Sequence, residues 1–326
     1  MRRREFIALV GGAALAPGGA VAQTAPRVYR VGFLSPVVPI ADNSGPGSAF
    51  LKGMSDLGYR LGQNLALERR GAQGRNSDLP LLAQELVAAK VDVIITIGFP
   101  PVVAAKATGV PTVAAAGVGD PVATGLVESL ARPGGTVTGI SDNATELSTK
   151  RLGLLKEIAP GLRRVAMLWN QDDLGMTLRY KASAEAAERL GVSVQALGVR
   201  EPNDFETAFA AMDRELPDAI LMVADALTNL NRKRVFDFAA AHRLPAIYET
   251  EFYVRDGGLM SYGADPGESF TRAAALTDGM LRGAKPSELP FEQPTRYNLV
   301  INLKAAKAIG LEVPFNLLAR ADEVIE

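Results

Sequence analysis

The chain has no cysteine among its 326 residues, which leaves no thiol for disulfides, thiolate catalysis or acylation of an N-terminal cysteine. Its one histidine, His242, stands in FAAAHRLP, toward a helix C-terminus where the dipole favours a cation, and so points away from triad chemistry. With one histidine and no cysteine, imidazole and thiolate metal sites are excluded, and no spaced carboxylate motif replaces them. GxSxG, GxxxxGK[ST] and HExxH are all absent, and Gly117-Val118-Gly119 lacks the third glycine of a dinucleotide loop. The acidic pairs Asp172-Asp173 and Glu249/Glu251 say nothing about separation in space. No segment supplies the roughly 20 apolar residues of a membrane helix. Charge of either sign is also lacking in excess: 35 Lys and Arg face 36 Asp and Glu, so nothing attracts nucleic acid.

What is present begins with Arg2, Arg3 and Arg4, an apolar stretch from Phe6 to Ala16, and Ala20-Val21-Ala22, the order of a signal peptide cleaved after Ala22. Export to the periplasm is the expectation for residues 1–22. Arg3-Arg4-Glu5-Phe6 fits the twin-arginine pattern, and the general export route remains the alternative. About 300 further residues exceed what one core usually holds, so two domains are expected.

Val- and Ile-rich strands alternate with helical periodicity along the chain, which predicts an α/β fold with parallel sheets. Strands are read at 29–35, 65–69 and 91–98, with helices near 48–57 and at 79–89. Asn76-Ser77-Asp78 reads as the cap of the second helix, whose Leu79, Leu82, Ala83, Leu86 and Val87 form one apolar stripe. The pattern restarts at Arg163 to Asn170, continues with a strand at 192–199 and a helix capped by Asn203-Asp204, and reaches a buried strand at 218–224. Leu79 matches Phe205 and Asp92 matches Asp218 at one offset; Val31 matches Val165 and Pro111 matches Pro245 at another. Two similar Rossmann-like lobes follow, one of residues 27–141 with about 263–288, the other of 142–262 with about 289–326. The chain crosses between them several times, which makes a hinge rather than a linker.

Ligands of open α/β sheets sit beyond the carboxyl ends of the strands. The first lobe offers Ser35, Gly98, Phe99, Gly117 and Asp120 there; the second offers Asn170, Asp225, Tyr248 and Glu249; Asp142 and Asn143 lie at a crossing. Asp120, Asp225 and Glu249 suit a ligand ammonium, and Ser35 with helix N-termini suits a carboxylate, so an amino-acid-like solute or small organic acid fits. Equally open at each position is a structural role: Asp120 and Asp225 as helix caps, Trp169 and Tyr248 as core, Glu249 as a solvated carboxylate.

The segments LKGMSDLGYRLGQNLALERR, KVDVIITIG, GDPVATGLVESLARPGGTVTGIS, LPAIYETEFYVRDGGLMSYGAD and PTRYNLVINLKAAKAIGLEVP resemble the ABC transporter substrate-binding protein family that includes tryptophan-binding members. The resemblance spans nearly the whole chain. It implies the type I periplasmic-binding-protein fold, no catalysis, no cofactor, and a monomer. It further implies capture of a small solute for an inner-membrane permease driven by a separate ATPase. A ligand sensor for a membrane receptor is the alternative it leaves, with an enzyme behind that. Where relatives often have Gly-Thr or Gly-Gly, this chain has Gly98-Phe99-Pro100-Pro101, so the ligand is left open.

Overall fold

A computed structural model describes residues 27–326; the predicted signal segment lies outside the described residues. The first lobe opens with β1 (Tyr29–Ser35), α1 (Gly45–Asp56), β2 (Leu65–Gly71), α2 (Leu79–Ala88), β3 (Val93–Ile97), α3 (Phe99–Lys106), β4 (Thr112–Ala116) and β5 (Val137–Gly139). The second comprises α4 (Ala144–Ile158), β6 (Arg164–Asn170), α5 (Leu174–Arg189), β7 (Ser193–Val199), α6 (Asp204–Arg214), β8 (Ala219–Met222), α7 (Ala226–Leu230), α8 (Arg232–Ala241), β9 (Ala246–Tyr248), α9 (Glu251–Arg255) and β10 (Met260–Ala264). After these come α10 (Pro266–Leu281), β11 (Tyr297–Asn302), α11 (Leu303–Ala308), α12 (Phe315–Leu318) and β12 (Glu323–Ile325).

Two sheets result, β2-β1-β3-β4-β5 and β12-β11-β10-β9-β8-β6-β7. All pairings are parallel except β10 with β11. Both sheets are covered on both faces, and the period-2 alternation of strand side chains shows it. Val31 and Phe33 of β1 pack with Phe50, Met54 and, from the late helix α10, Phe270 and Ala274. Leu34, next after Phe33 and on the opposite face, packs with Leu79, Ala83 and Leu86 of α2. In the second sheet Met167, Leu221 and Ile247 face one core and Leu168, Met222 and Tyr248 the other.

The internal repeat is visible in hydrogen bonds. Asp92 at the entry to β3 accepts the Arg30 amide at 2.8 Å, and Asp218 at the entry to β8 accepts the Arg164 amide at 2.9 Å. Each carboxylate pins the start of the neighbouring strand. The expected cap at Asn76-Ser77-Asp78 is a short 3₁₀ turn without a side-chain cap bond; the Asp78 carboxylate instead takes Arg75 at 2.7 Å. Likewise Asn203 makes no cap bond to α6, while Asp204 turns back to the Arg200 amide.

The chain passes between the sheets three times. Ser141-Asp142 leads from β5 to α4, Asp265 leads from β10 to α10, and residues 293–296 lead to β11. Before the last passage, Leu289 to Glu292 stay with the first lobe: the Thr138 hydroxyl donates to Leu289 O at 2.8 Å and Ser141 N to Glu292 O at 2.8 Å. Asn143, left-handed at φ 48, donates its amide to the Tyr297 hydroxyl at 2.6 Å and so ties the first passage to the third.

Candidate functional site

Where the carboxyl ends of the two sheets face each other lies a cavity of about 340 Å³. The first lobe lines it with Pro36, Val37, Ile97, Gly98, Ala116 and Gly117, and the second brings Arg151, Asp173, Arg179, Asp225, Glu249 and Tyr253. Asp142 lines it at the first passage. Of the residues expected from sequence, the wall therefore contains Gly98, Gly117, Asp142, Asp225 and Glu249.

Ser35, Phe99, Asp120, Asn143, Asn170 and Tyr248 do not line it. Ser35 is buried and its hydroxyl accepts the Val37 amide at 3.3 Å. Asp120 is spent on a turn, accepting the amides of Val122 and Ala123 at 2.9 and 3.0 Å. Tyr248 points to the far side of β9, where Phe236 and Tyr253 surround it, because alternation along a strand turns only every second side chain to a given face. Burial pushes its hydroxyl pKa upward. Trp169 is core as well, stacked on Tyr180 at 3.6 Å. Asn170 stands one step behind the wall, donating to Asp225 Oδ2 at 2.6 Å.

Glu249 is not solvated. It is 7% exposed, and its carboxylate is saturated: Arg151 Nη1 at 2.9 Å, Arg179 Nη1 at 2.7 Å and the Ala224 amide at 3.0 Å. Burial alone would raise its pKa, but the two guanidinium groups outweigh burial and hold it below the ordinary range. Arg151 also donates Nε to Tyr262 O at 2.8 Å, and Arg179 pairs with Asp142 as well as Glu249. Two arginines and two carboxylates thus form one neutral buried network.

Sequence reading missed both arginines, yet a signal existed. In α5 Arg179 stands on the stripe of Met176, Ser183 and Ala186, all buried. In α4 Arg151 shares a buried stripe with Ser148, Leu154 and Leu155. A guanidinium on an apolar stripe requires an internal carboxylate, since burying an unpaired charge is prohibitive.

The remaining two carboxylates have no such partner. Among the described residues, no basic side chain forms an ion pair with Asp173 or Asp225. Asp225 caps α7 in a reciprocal box with Thr228, accepting its amide at 2.8 Å. Asp173 caps α5 through the Met176 amide at 3.2 Å. Burial raises both, and the neighbouring Asp225 charge adds to the effect on Asp173, which is pushed up to about 7. The pair forms a desolvated acidic corner of an otherwise largely apolar chamber, where a cationic ligand group would draw the carboxyls into their ionised form.

The family model of the ABC transporter substrate binding protein matches residues 45–325. A tyrosine-binding protein of Clostridioides difficile is 26% identical over 264 residues, 81% of this chain and 76% of that protein. Among solved structures, the ABC domain in complex with L-Trp from Streptococcus pneumoniae is 25% identical, with TM-score 0.84 over 91% of this chain and 100% of the other. The ligand-free, open structure of a substrate-binding protein with adhesive properties from Clostridium difficile gives 0.65 at 23% identity, over 92% and 99%. The architecture is that of type I periplasmic binding proteins, and the chain belongs to the ABC transporter substrate-binding protein family, whose members bind solutes and are not enzymes.

Proposed function

We propose that this protein is the periplasmic, monomeric solute-binding component of an ABC importer and that its ligand is an amino acid with a large apolar or aromatic side chain. The observation that carries the reading is the cavity itself, held between two lobes, apolar over most of its wall, with Asp173 and Asp225 at one corner lacking a cationic partner. Those carboxylates, with Asn170 supporting Asp225, would take the ligand ammonium; the chamber, at the small end of the usual range for ligand pockets, suits one amino acid rather than a peptide. The tyrosine- and tryptophan-binding relatives support the same class. Gly98, Gly117 and Asp142 belong to this proposed site; Ser35, Phe99, Asp120, Asn143 and Tyr248 would act only by shaping it.

Closure supplies the mechanism. A ligand that touches both lobes favours the arrangement in which both are in reach, and a permease reads that arrangement. The signal peptide, the cleavage after Ala22 and a separate ATPase complete the importer reading. Thermal-shift and calorimetric titration of the mature protein with the common amino acids tests it, because a ligand of the folded state alone raises the unfolding midpoint. Stabilisation by L-tyrosine, L-tryptophan or a close analogue, recovered unchanged, is the expected result. Stabilisation only by solutes lacking an ammonium group, or conversion of the bound compound, would overturn it.

A further inference from the structure

On both sides of the cavity the lobes touch at residues without side chains. A Cβ built on Gly175, near the start of α5, would fall 3.3 Å from both Phe99 Cβ and Val118 O of the first lobe, and 3.2 Å from Asp173 Oδ1 of its own lobe. From the opposite side, a Cβ on Gly119 would fall 3.4 Å from Gly175 O. At the other rim a Cβ on Gly74 would come 2.6 Å from Leu230 Cδ1 of the second lobe. Gly119 and Gly74 have φ of 71° and 83°, so their own backbones ask for glycine. Gly175 is different. Its φ is not in the left-handed region, and inside a helix alanine is the better residue, so crowding by the other lobe, together with the Asp173 cap of its own helix, accounts for glycine here.

The same helix carries the polar link across the seam. Arg179, one turn beyond Gly175, pairs with Asp142 at the first passage, and Asp142 Oδ2 accepts the Gly119 amide at 3.4 Å. Gly175 itself is not part of the cavity wall.

We infer that Gly175 is the closure stop: a specificity-determining residue that touches no ligand but sets how far the two lobes approach and hence the size of solute they enclose. The inference rests on the solute-binding reading and adds to it a residue outside the pocket. A side chain at this position props the lobes apart, so a small ligand loses one wall while each lobe keeps its own core.

The absence of cysteine makes the test clean. Phe99→Cys with Gly175→Cys, in the full chain, places two Cβ atoms 3.3 Å apart, just under the ~3.5–4.5 Å typical of disulfides. Mild oxidation is expected to give an intramolecular cross-link, a smaller radius of gyration by small-angle scattering, and at least tenfold slower exchange of L-tyrosine or L-tryptophan. Failure to cross-link, or exchange as fast as in the reduced protein, would overturn the inference, since the contact would then be absent or permanent. Gly175→Leu supplies the opposite arm: affinity for the same probes falls at least tenfold and the radius of gyration with ligand present rises, a change that displacing the neighbouring Asp173 would not by itself produce, whereas unchanged affinity or an unchanged radius counts against the stop. If the cross-link forms and compacts the protein but neither amino acid binds the parent chain, the closure stop stands and the amino-acid reading falls.

Discussion

The two walls of the cavity are made of different chemistry. Among the described residues, every ionisable side chain that lines it belongs to the second lobe or to the passage at Asp142, while the first lobe contributes proline, glycine, alanine, valine, isoleucine and Phe270, with Asn76, Ser141 and Ser269 as its polar groups. The helix that follows β3 sharpens the contrast. Pro100 and Pro101 remove two of the amides that a helix N-terminus normally presents, so α3 has little to offer an anion. The difference teaches a division of labour: the second lobe recognises charge in a preassembled network, and the first is an apolar cover.

Breaking the network should cost most. Glu249→Gln leaves Arg151 and Arg179, 3% and 5% exposed, short of a carboxylate, and loss of one partner from a buried ion pair typically costs about 3–5 kcal/mol. Chemical denaturation of the ligand-free protein reads this directly. A loss below about 1 kcal/mol would mean that water reaches the arginines and that the second lobe is not the dry, prebuilt half.

Next in size is the acidic corner. Asp225→Asn keeps the shape of the cap but removes the charge opposite a ligand ammonium, and is expected to weaken amino-acid binding about 10- to 100-fold, the range of a charge-assisted hydrogen bond at ~1.5–3 kcal/mol. An unchanged Kd would move recognition away from the second lobe.

A smaller, pH-dependent effect falls on Asp173. Its folded pKa, about 7, lies above the ordinary aspartate value of 3.8, so the folded state keeps a proton that the unfolded chain has lost. Relative to Asp173→Asn, stability of the ligand-free protein therefore declines as pH rises from about 4 to 7 and is level above, with a slope of about 1.4 kcal/mol per unit at most. Ligand binding has the opposite dependence. An ammonium favours the ionised form and must displace the proton below pH 7, so Kd rises by up to about tenfold for each unit of acidification, and the dependence is weaker in Asp173→Asn, where only Asp225 is left to titrate. Asp225, Arg179 and Tyr253 share the same wall, which is why the comparison is made against the single variant.

How much of this was legible in the sequence follows from which forces are local. Period-2 and helical stripes place the first three strands of each half to within a few residues, while β4 and β9 are not read from pattern, and the matched Asp92 and Asp218 are visible in the structure as the same strand-entry device. Strand ends marked the cleft, as Gly98, Gly117, Asp225 and Glu249 testify. What the pattern could not carry was the direction of individual side chains: Tyr248 and Glu249 are adjacent, yet one is core and the other wall. Nor did local pattern reveal that Glu249 has two arginines as partners 98 and 70 residues away. Pairing at that distance is a property of the fold, and only the misplaced arginines on apolar stripes hinted at it.

The mildest substitution asks most of the comparison. Ile97→Ala at the end of β3 trims the apolar cover without touching any charge, and the area removed corresponds to about 1 kcal/mol, roughly fivefold in Kd. If the first lobe acts only through apolar contact, this loss is the same at pH 6 and pH 8 and in low and high salt, because burial of hydrocarbon is neither titrated nor screened. The Asp225→Asn loss, by contrast, should vary with pH. Calorimetric titrations of both variants across those conditions separate the two walls: parallel responses would show that the ionisable lobe acts on the ligand through the cover, and divergent ones that each wall acts independently.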